Sequence, residues 1–170
     1  GSGAKKVHFC SGSEEASTVG NNLTSPIYQP LVRGTEVSVD AFFGCSGELV
    51  GFVSRRRLRV DNGESTITET FRDEDLERPI RACLESLGAE YKFFGPVVLQ
   101  LFSFPNGPSL LIEINARVGG ASSASNVVGL RSLEWLVKWA LGAVEFEFER
   151  ATFEVHQTRL PCDVQQLKSV

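Results

Sequence analysis

Leu110-Leu111-Ile112-Glu113-Ile114-Asn115-Ala116-Arg117 is the stretch from which the rest of this chain is read. On an extended backbone successive side chains alternate, so Leu110, Ile112 and Ile114 share one face and Glu113, Asn115 and Arg117 the other. The apolar face belongs to a core. The polar face sets a carboxylate, a carboxamide and a guanidinium in a row, each roughly 6.5–7 Å from the next. Spacing alone leaves two readings open. One is a solvated Glu–Arg pair worth about 0–1 kcal/mol; the other is a chemical site.

The preceding residues extend the pattern. Val97 to Phe104 reads as a partner strand, joined to Ser109–Ile114 through the turn Pro105-Asn106-Gly107-Pro108. A turn centred on Asn106-Gly107 puts Ser109 opposite Phe104, Leu111 opposite Phe102 and Glu113 opposite Gln100. Gln100 and Glu113 would then lie about 4.5–5.5 Å apart at Cβ. A single bulge would instead rotate Gln100 to the core side. In the unbulged register, oxygen donors from Gln100, Glu113 and Asn115 converge. Mg²⁺ takes hard oxygen ligands, often one or two carboxylates, and completes its octahedron with phosphates and water. The set suits Mg²⁺ shared with a phosphate better than a protein-only calcium cage. Arg117 could neutralise a phosphoryl or acyl-phosphate oxygen beside it.

Further out, Thr35 to Phe43 alternates, with Val37, Val39 and Ala41 on one face and Glu36, Ser38 and Asp40 on the other. Gly44-Cys45-Ser46-Gly47 turns the chain into a returning strand, Glu48 to Arg57, in a register that would set Glu36 opposite Arg55. A turn at Asp61-Asn62-Gly63 leads to a Thr-rich strand from Ser65 to Phe71. Leu76, Ile80, Cys83, Leu84 and Leu87 recur with helical spacing, Pro79 near the first turn and Gly88 as the stop. Ser13 is placed to cap a helix through Val19, and Ser132 one through Leu141 ended by Gly142. Val7–Cys10 reads as a short strand and Glu145–Leu160 as one or two. Hairpins alternating with single helices give an α+β fold: an antiparallel sheet with helices packed on one face.

The chain has 170 residues, enough for one domain with a sizeable core. A net charge of −4 argues against nucleic-acid or anionic-membrane partners, the Arg55-Arg56-Arg57-Leu58-Arg59 run notwithstanding. No apolar run approaches the roughly 20 residues of a bilayer span. Cys10, Cys45, Cys83 and Cys162 are scattered without a CxxC pair, which fits reduced thiols in a cytoplasmic protein. His8 and His156 are isolated and receive no role.

Glu113-Ile114-Asn115-Ala116-Arg117 resembles the Glu-x-Asn-x-Arg element of ATP-grasp enzymes, most closely the carbamoyl-phosphate-synthetase-large-subunit-like ligases. The resemblance implies a C-terminal ATP-grasp subdomain, with ATP and Mg²⁺ as cofactors. It makes Gln100, Glu113 and Asn115 the metal ligands and Arg117 the residue facing the reacting phosphate. Ile27-Tyr28-Gln29-Pro30-Leu31-Val32-Arg33-Gly34-Thr35-Glu36 is similar to the family's adenine hinge followed by its Gly-x-Glu strand. Gln29, Pro30, Leu31 and Val32 would then carry adenine on their backbone, Glu36 would bind ribose and Phe102 would pack on the base. A plain Glu36–Arg55 pair across the first hairpin is the alternative for Glu36. Gly1-Ser2-Gly3-Ala4-Lys5-Lys6-Val7 resembles the family's phosphate-binding Gly-rich loop, giving Gly3 and Lys5 to the phosphates, although the same Gly/Ser string is also the composition of a cloning remnant.

On this resemblance, residues 1–25 are a remnant of the N-terminal ATP-grasp subdomain, 26–142 the C-terminal subdomain and 143–170 a strand extension within a single domain. The expected activity is that of a carboxylate–amine ligase working through an acyl phosphate, acting on a small carboxylate. The chain looks like a fragment, weak or inactive alone. The alternative is a non-catalytic module of the same fold that homodimerises or binds a partner.

Overall fold

A computed structural model describes residues 7–61, 63–105 and 107–160. The elements run α1 (Ser13–Gly20), β1 (Thr35–Phe43), β2 (Leu49–Asp61), β3 (Glu64–Phe71), α2 (Glu74–Tyr91), β4 (Gly95–Ser103), β5 (Leu110–Asn115), α3 (Ser123–Val127), α4 (Ser132–Ala140) and β6 (His156–Thr158). The strands form one antiparallel sheet in the order β5-β4-β1-β2-β3-β6. This is the α+β architecture expected from the alternation of hairpins and helices.

The alternation of β1 divides the interior into two cores. Val37, Val39, Ala41 and Phe43 face α2, where they meet Leu76, Ile80 and Leu84 together with Leu99 and Leu101 of β4. Asp73 caps α2 by accepting from the Leu76 N–H at 3.2 Å, and Glu74, Asp75 and Glu77 suit the positive end of the helix dipole. Helix α2 passes through Gly88 and ends three residues later, with Lys92 left-handed at φ 51°. Gly88 is therefore a packing glycine rather than the expected stop. A Cβ there would fall 2.2 Å from the Gly47 carbonyl oxygen and 2.7 Å from the Phe43 ring, so its absence lets α2 sit directly on the β1–β2 turn.

The other face of the sheet carries a second core that the sequence did not announce. Phe42 and Val53 pack there with Val128, Leu130 and Trp135. The Phe42 ring meets Trp135 edge-on at 5.0 Å and Phe146 at 5.3 Å. Helix α4 and the chain from Phe146 to Val155 thus cover one end of this face. The Glu145–Leu160 segment becomes a strap rather than one or two full strands, with only His156–Thr158 paired to β3. Its Phe146 and Phe148 insert as anchors, while Ala151 N–H donates to Val128 O and Val155 O accepts from Thr70 N–H.

Three local expectations are corrected. Val7–Cys10 forms no strand and pairs with none among the described residues. Ser132 opens α4 without a side-chain cap; its Oγ donates instead to Leu130 O at 3.5 Å. The β1–β2 register is two residues from the one expected, pairing Ser38 with Arg55. The turn closes between Gly44 N–H and Glu48 O, and an irregularity follows at Phe42/Phe43, so the strands slide before pairing regularly. Gly142 does end α4, at φ 99°.

Gly88→Ala tests the helix–turn contact. Alanine in an ordinary helix interior stabilises by about 1 kcal/mol relative to glycine. Here overpacking against Gly47 should reverse the sign, lowering stability by roughly 1–3 kcal/mol in urea unfolding.

Candidate nucleotide site

Strand β5 is an edge strand held by β4. Gln100 pairs with Glu113, Leu99 with Ile114 and Val98 with Asn115, so the expected Gln100–Glu113 pairing is present. Nearer the turn the register shifts by one, between Gln100 and Leu101. Leu111 then lies opposite Leu101 and Leu110 opposite Phe102, replacing the Leu111–Phe102 and Ser109–Phe104 pairs of the simple hairpin. Ile112 is the extra residue of this bulge. The apolar face accordingly reaches the core only at Ile114, whereas Leu110, Leu111 and Ile112 are 40–49% exposed. Because the bulge lies on the turn side of Gln100, it leaves Gln100 on the polar face with Glu113.

The polar residues of β5 and of the bend that follows it at Ala116-Arg117 are linked to one another. Asn115 Nδ2 donates to Glu113 Oε1 at 2.9 Å, and Arg117 Nη2 contacts Asn115 Oδ1 at 3.4 Å. Glu113 and Arg117 are exposed. On the far side of β4, Gln100 pairs with Ser38 and Phe102 with Glu36. Gln100, Phe102 and Glu36 are half-buried and share the face of Glu113. The 29–32 segment is irregular, with Gln29, Pro30 and Leu31 exposed and Val32 half-buried. It leads into Gly34, where an added Cβ would meet the Phe104 ring at 2.8 Å and Phe102 Cβ at 3.1 Å, so the hinge enters β1 beside the end of β4. Gly3 and Lys5 lie outside the described residues.

Arg57 joins these parts, although nothing in the sequence distinguishes it from its neighbours in the arginine run. Its Nη1 donates to Glu36 Oε1 at 2.6 Å and to Gln100 Oε1 at 3.2 Å. Its Nε donates to Ser65 Oγ at 2.9 Å and its Nη2 to Gly63 O at 2.8 Å. The side chain is 6% exposed. The two-residue slide of β2 therefore gives Glu36 Arg57, not Arg55, as its partner.

Among the described residues no group of three or more His, Cys, Asp or Glu side chains gathers in one place. The candidate oxygen donors are instead one carboxylate and two carboxamides, a set of low charge of the kind that Mg²⁺ completes with phosphates and water. Glu113 fits such an ion, and Asn115 can join it by turning an amide whose present contacts are on an open surface. Gln100 fits less well, since its oxygen already faces a cation. A groove of about 610 Å³ lies on the opposite face between α2 and the β4–β5 hairpin. Val37, Ile80, Leu99, Leu101 and Leu111 line it, and none of the candidate residues does.

The family described as ATP-grasp in the biosynthetic pathway with Ter operon matches residues 24–170. The chain belongs to this ATP-grasp family. No curated protein matches the sequence. Among solved structures, the biotin carboxylase domain of Hydrogenobacter thermophilus 2-oxoglutarate carboxylase, in complex with MgADP, ADP and bicarbonate, superposes with a TM-score of 0.62 at 12% identity, over 74% of this chain and 29% of that one. Campylobacter jejuni biotin carboxylase, in a β,γ-ATP complex, gives 0.58 at 17% identity over 70% and 28%. Kluyveromyces lactis urea carboxylase gives 0.55 at 20% identity over 63% and 10%. These likenesses show the fold, and this chain spans less than a third of each of those proteins. The narrower likeness to carbamoyl phosphate synthetase rests on the motif alone.

In this ATP-grasp fold the chain beyond Arg117 is held by a second network absent from the sequence reading. Asp40 accepts from Arg55 Nε at 2.6 Å and Nη2 at 3.0 Å, a bidentate pair with side chains 3–4% exposed. Ser122 Oγ donates to Asp40 Oδ1 at 2.7 Å, Ser125 Oγ donates to Oδ2, and Ser122 Oγ accepts from Gly119 N–H at 2.9 Å. Arg159, from the terminal strap, lies against Gly120 and pairs with Glu64 at 2.8 Å. The sequence signal for this network was an acid, Asp40, alternating with apolar residues opposite an arginine run, which did not say which arginine it would meet.

Asp40→Ala would leave the Arg55 charge buried without its partner. Loss of about 3–5 kcal/mol is expected in equilibrium unfolding. The paired Asp40→Leu/Arg55→Leu variant should recover much of that loss, since the penalty is that of an uncompensated charge.

Proposed function

We propose that this ATP-grasp domain binds Mg-ATP on the Glu36–Gln100–Glu113 face of its sheet and forms part of a ligase that activates a small carboxylate as an acyl phosphate for attack by an amine or similar nucleophile. The observation that carries the reading is the pairing of Gln100 with Glu113 in a chain matched by an ATP-grasp family from residue 24 to 170. The nucleotide complexes of the fold neighbours point the same way.

In this reading adenine lies along the backbone of Gln29, Pro30, Leu31 and Val32 and packs on Phe102. Glu36 Oε1 is taken by Arg57, which leaves its second oxygen for the ribose hydroxyls. Glu113 and Asn115 face the metal, and Gly3 and Lys5 the phosphates. Mg²⁺ supplies charge neutralisation across the transferring phosphoryl group. Arg117, in the bend just past β5 where its N–H donates to Asn115 O at 2.9 Å, stabilises the negative charge that builds on phosphoryl and carboxylate oxygens. The carboxylate oxygen bonds to the γ-phosphorus as ADP leaves, and the nucleophile then displaces phosphate from the acyl carbon. The protein's share of the work is positioning and charge neutralisation.

Thermal unfolding with and without Mg-ATP is the direct test. Ligand at 100 times its Kd should add about 2.7 kcal/mol. Folded protein showing no shift at millimolar Mg-ATP would refute the reading. Glu113→Ala should remove the magnesium-dependent part of the shift, and Arg117→Ala should leave most of the binding in place while abolishing carboxylate-dependent ADP release in the complete enzyme.

A further inference from the structure

The hydrogen bond from Arg57 to Gln100 bears on what Gln100 can do. A guanidinium has donors and no acceptor. The Gln100 amide must therefore offer Arg57 its carbonyl oxygen, which settles the orientation that an isolated amide leaves open. Its NH₂ is not engaged by Arg57, and the side chain makes no further hydrogen bond among the described residues. An NH₂ group is a donor: it does not ligate Mg²⁺, but it does bind an anionic oxygen.

The contact is not free to rearrange. The Arg57 side chain is almost fully enclosed and ties β1 through Glu36, β4 through Gln100, the β2–β3 turn through Gly63 and β3 through Ser65. Turning the Gln100 oxygen towards a metal would leave a buried N–H unpaired and bring a divalent cation up to a fixed positive charge. Glu36 offsets part of that charge, but the direction of the amide still stands. Asn115 is the contrast. Its amide contacts Glu113 and Arg117, both exposed, and the Arg117 contact is long, so it can turn its oxygen to an ion with little lost.

We propose that Gln100 is a hydrogen-bond donor to the phosphate oxygens of the nucleotide, with Arg57 as its positioning residue, and that Glu113 and Asn115 alone hold the divalent ion. The assignment rests on the nucleotide reading above and replaces the metal role that the family resemblance implied for Gln100. Gln100 then recognises the phosphates whether or not the metal is present.

Two binding measurements on the full chain separate the roles: ATP binding by calorimetry in EDTA, and Mn²⁺ binding to the protein–ATP complex by electron paramagnetic resonance. Gln100→Leu should weaken metal-free ATP binding by roughly tenfold or more, the scale of a lost hydrogen bond to a charged group. The same variant should change Mn²⁺ affinity by less than about twofold. Glu113→Ala should do the reverse. Arg57→Met should reproduce the Gln100→Leu pattern, and the double variant should lose little more than either, because two residues acting through one contact are not additive. Where Arg57→Met fails to fold, Gln100→Leu decides alone. A Gln100→Leu protein that loses Mn²⁺ as Glu113→Ala does, with metal-free ATP binding intact, overturns the assignment and leaves the nucleotide site standing. A wild-type chain that binds no ATP overturns both.

Discussion

The buried ion pair between Asp40 and Arg55 constrains the rest of the polar face. It sits between the two middle strands of the sheet, where neither charge reaches water. Such a pair persists only if each charge meets its partner in good geometry and the remaining lone pairs and protons are satisfied. Here the carboxylate takes both arms of the arginine fork plus two serine hydroxyls, and a further arginine N–H contacts Thr68. Apolar packing would tolerate several registers of β1 against β2. The ion pair tolerates one, and with that register fixed Arg57 falls beside Glu36.

The same pair reaches across the fold to the chain that follows β5. Ser122 and Ser125 belong to the loop and short helix after that strand, and both close on Asp40. The turn at Gly119 is closed in turn by Ser122. Arg117 itself is exposed and loosely held, but the backbone on both sides of it is anchored, by β4 before and by Asp40 after. A charged side chain at the surface on an anchored backbone can change rotamer without the loop being reordered, so little ordering entropy is attached to its movement.

What was legible in the sequence was what depends on neighbours in the chain. Thr35–Phe43 alternates with period two and is β1 to the residue. The Asn-Gly turn between Pro105 and Pro108 placed Gln100 opposite Glu113, and that pairing survives a bulge because the bulge falls on the turn side of it. What was illegible depends on contacts far apart in sequence. Gly88 looks like a helix stop until Gly47 is brought against it. Phe146 and Phe148 look like strand residues until Phe42 and Gly51 offer them a second core. Arg55, Arg56 and Arg57 look alike as text. A slide of two residues makes one a buried counter-ion, lays one over the Phe71 ring at 4.0 Å and turns one into the clasp of the site.

One face of the sheet thus performs two jobs at its two ends. At one end Phe42, Val53 and Trp135 make a dry core; at the other Glu36, Gln100 and Glu113 make a polar surface. The strands β1 and β4 run through both, so the site is built on backbone whose position the apolar end and the α2 face already determine. Only Glu113 and Asn115 stand on an edge strand, and there the bulge serves them. It takes up the mismatch between the turn and the ladder at Ile112, leaving the pairs from Gln100–Glu113 to Val98–Asn115 in regular register. The exposed apolar residues Leu110, Leu111 and Ile112 are the consequence of that compromise, since a strand twisted off at its tip cannot keep all three over the core.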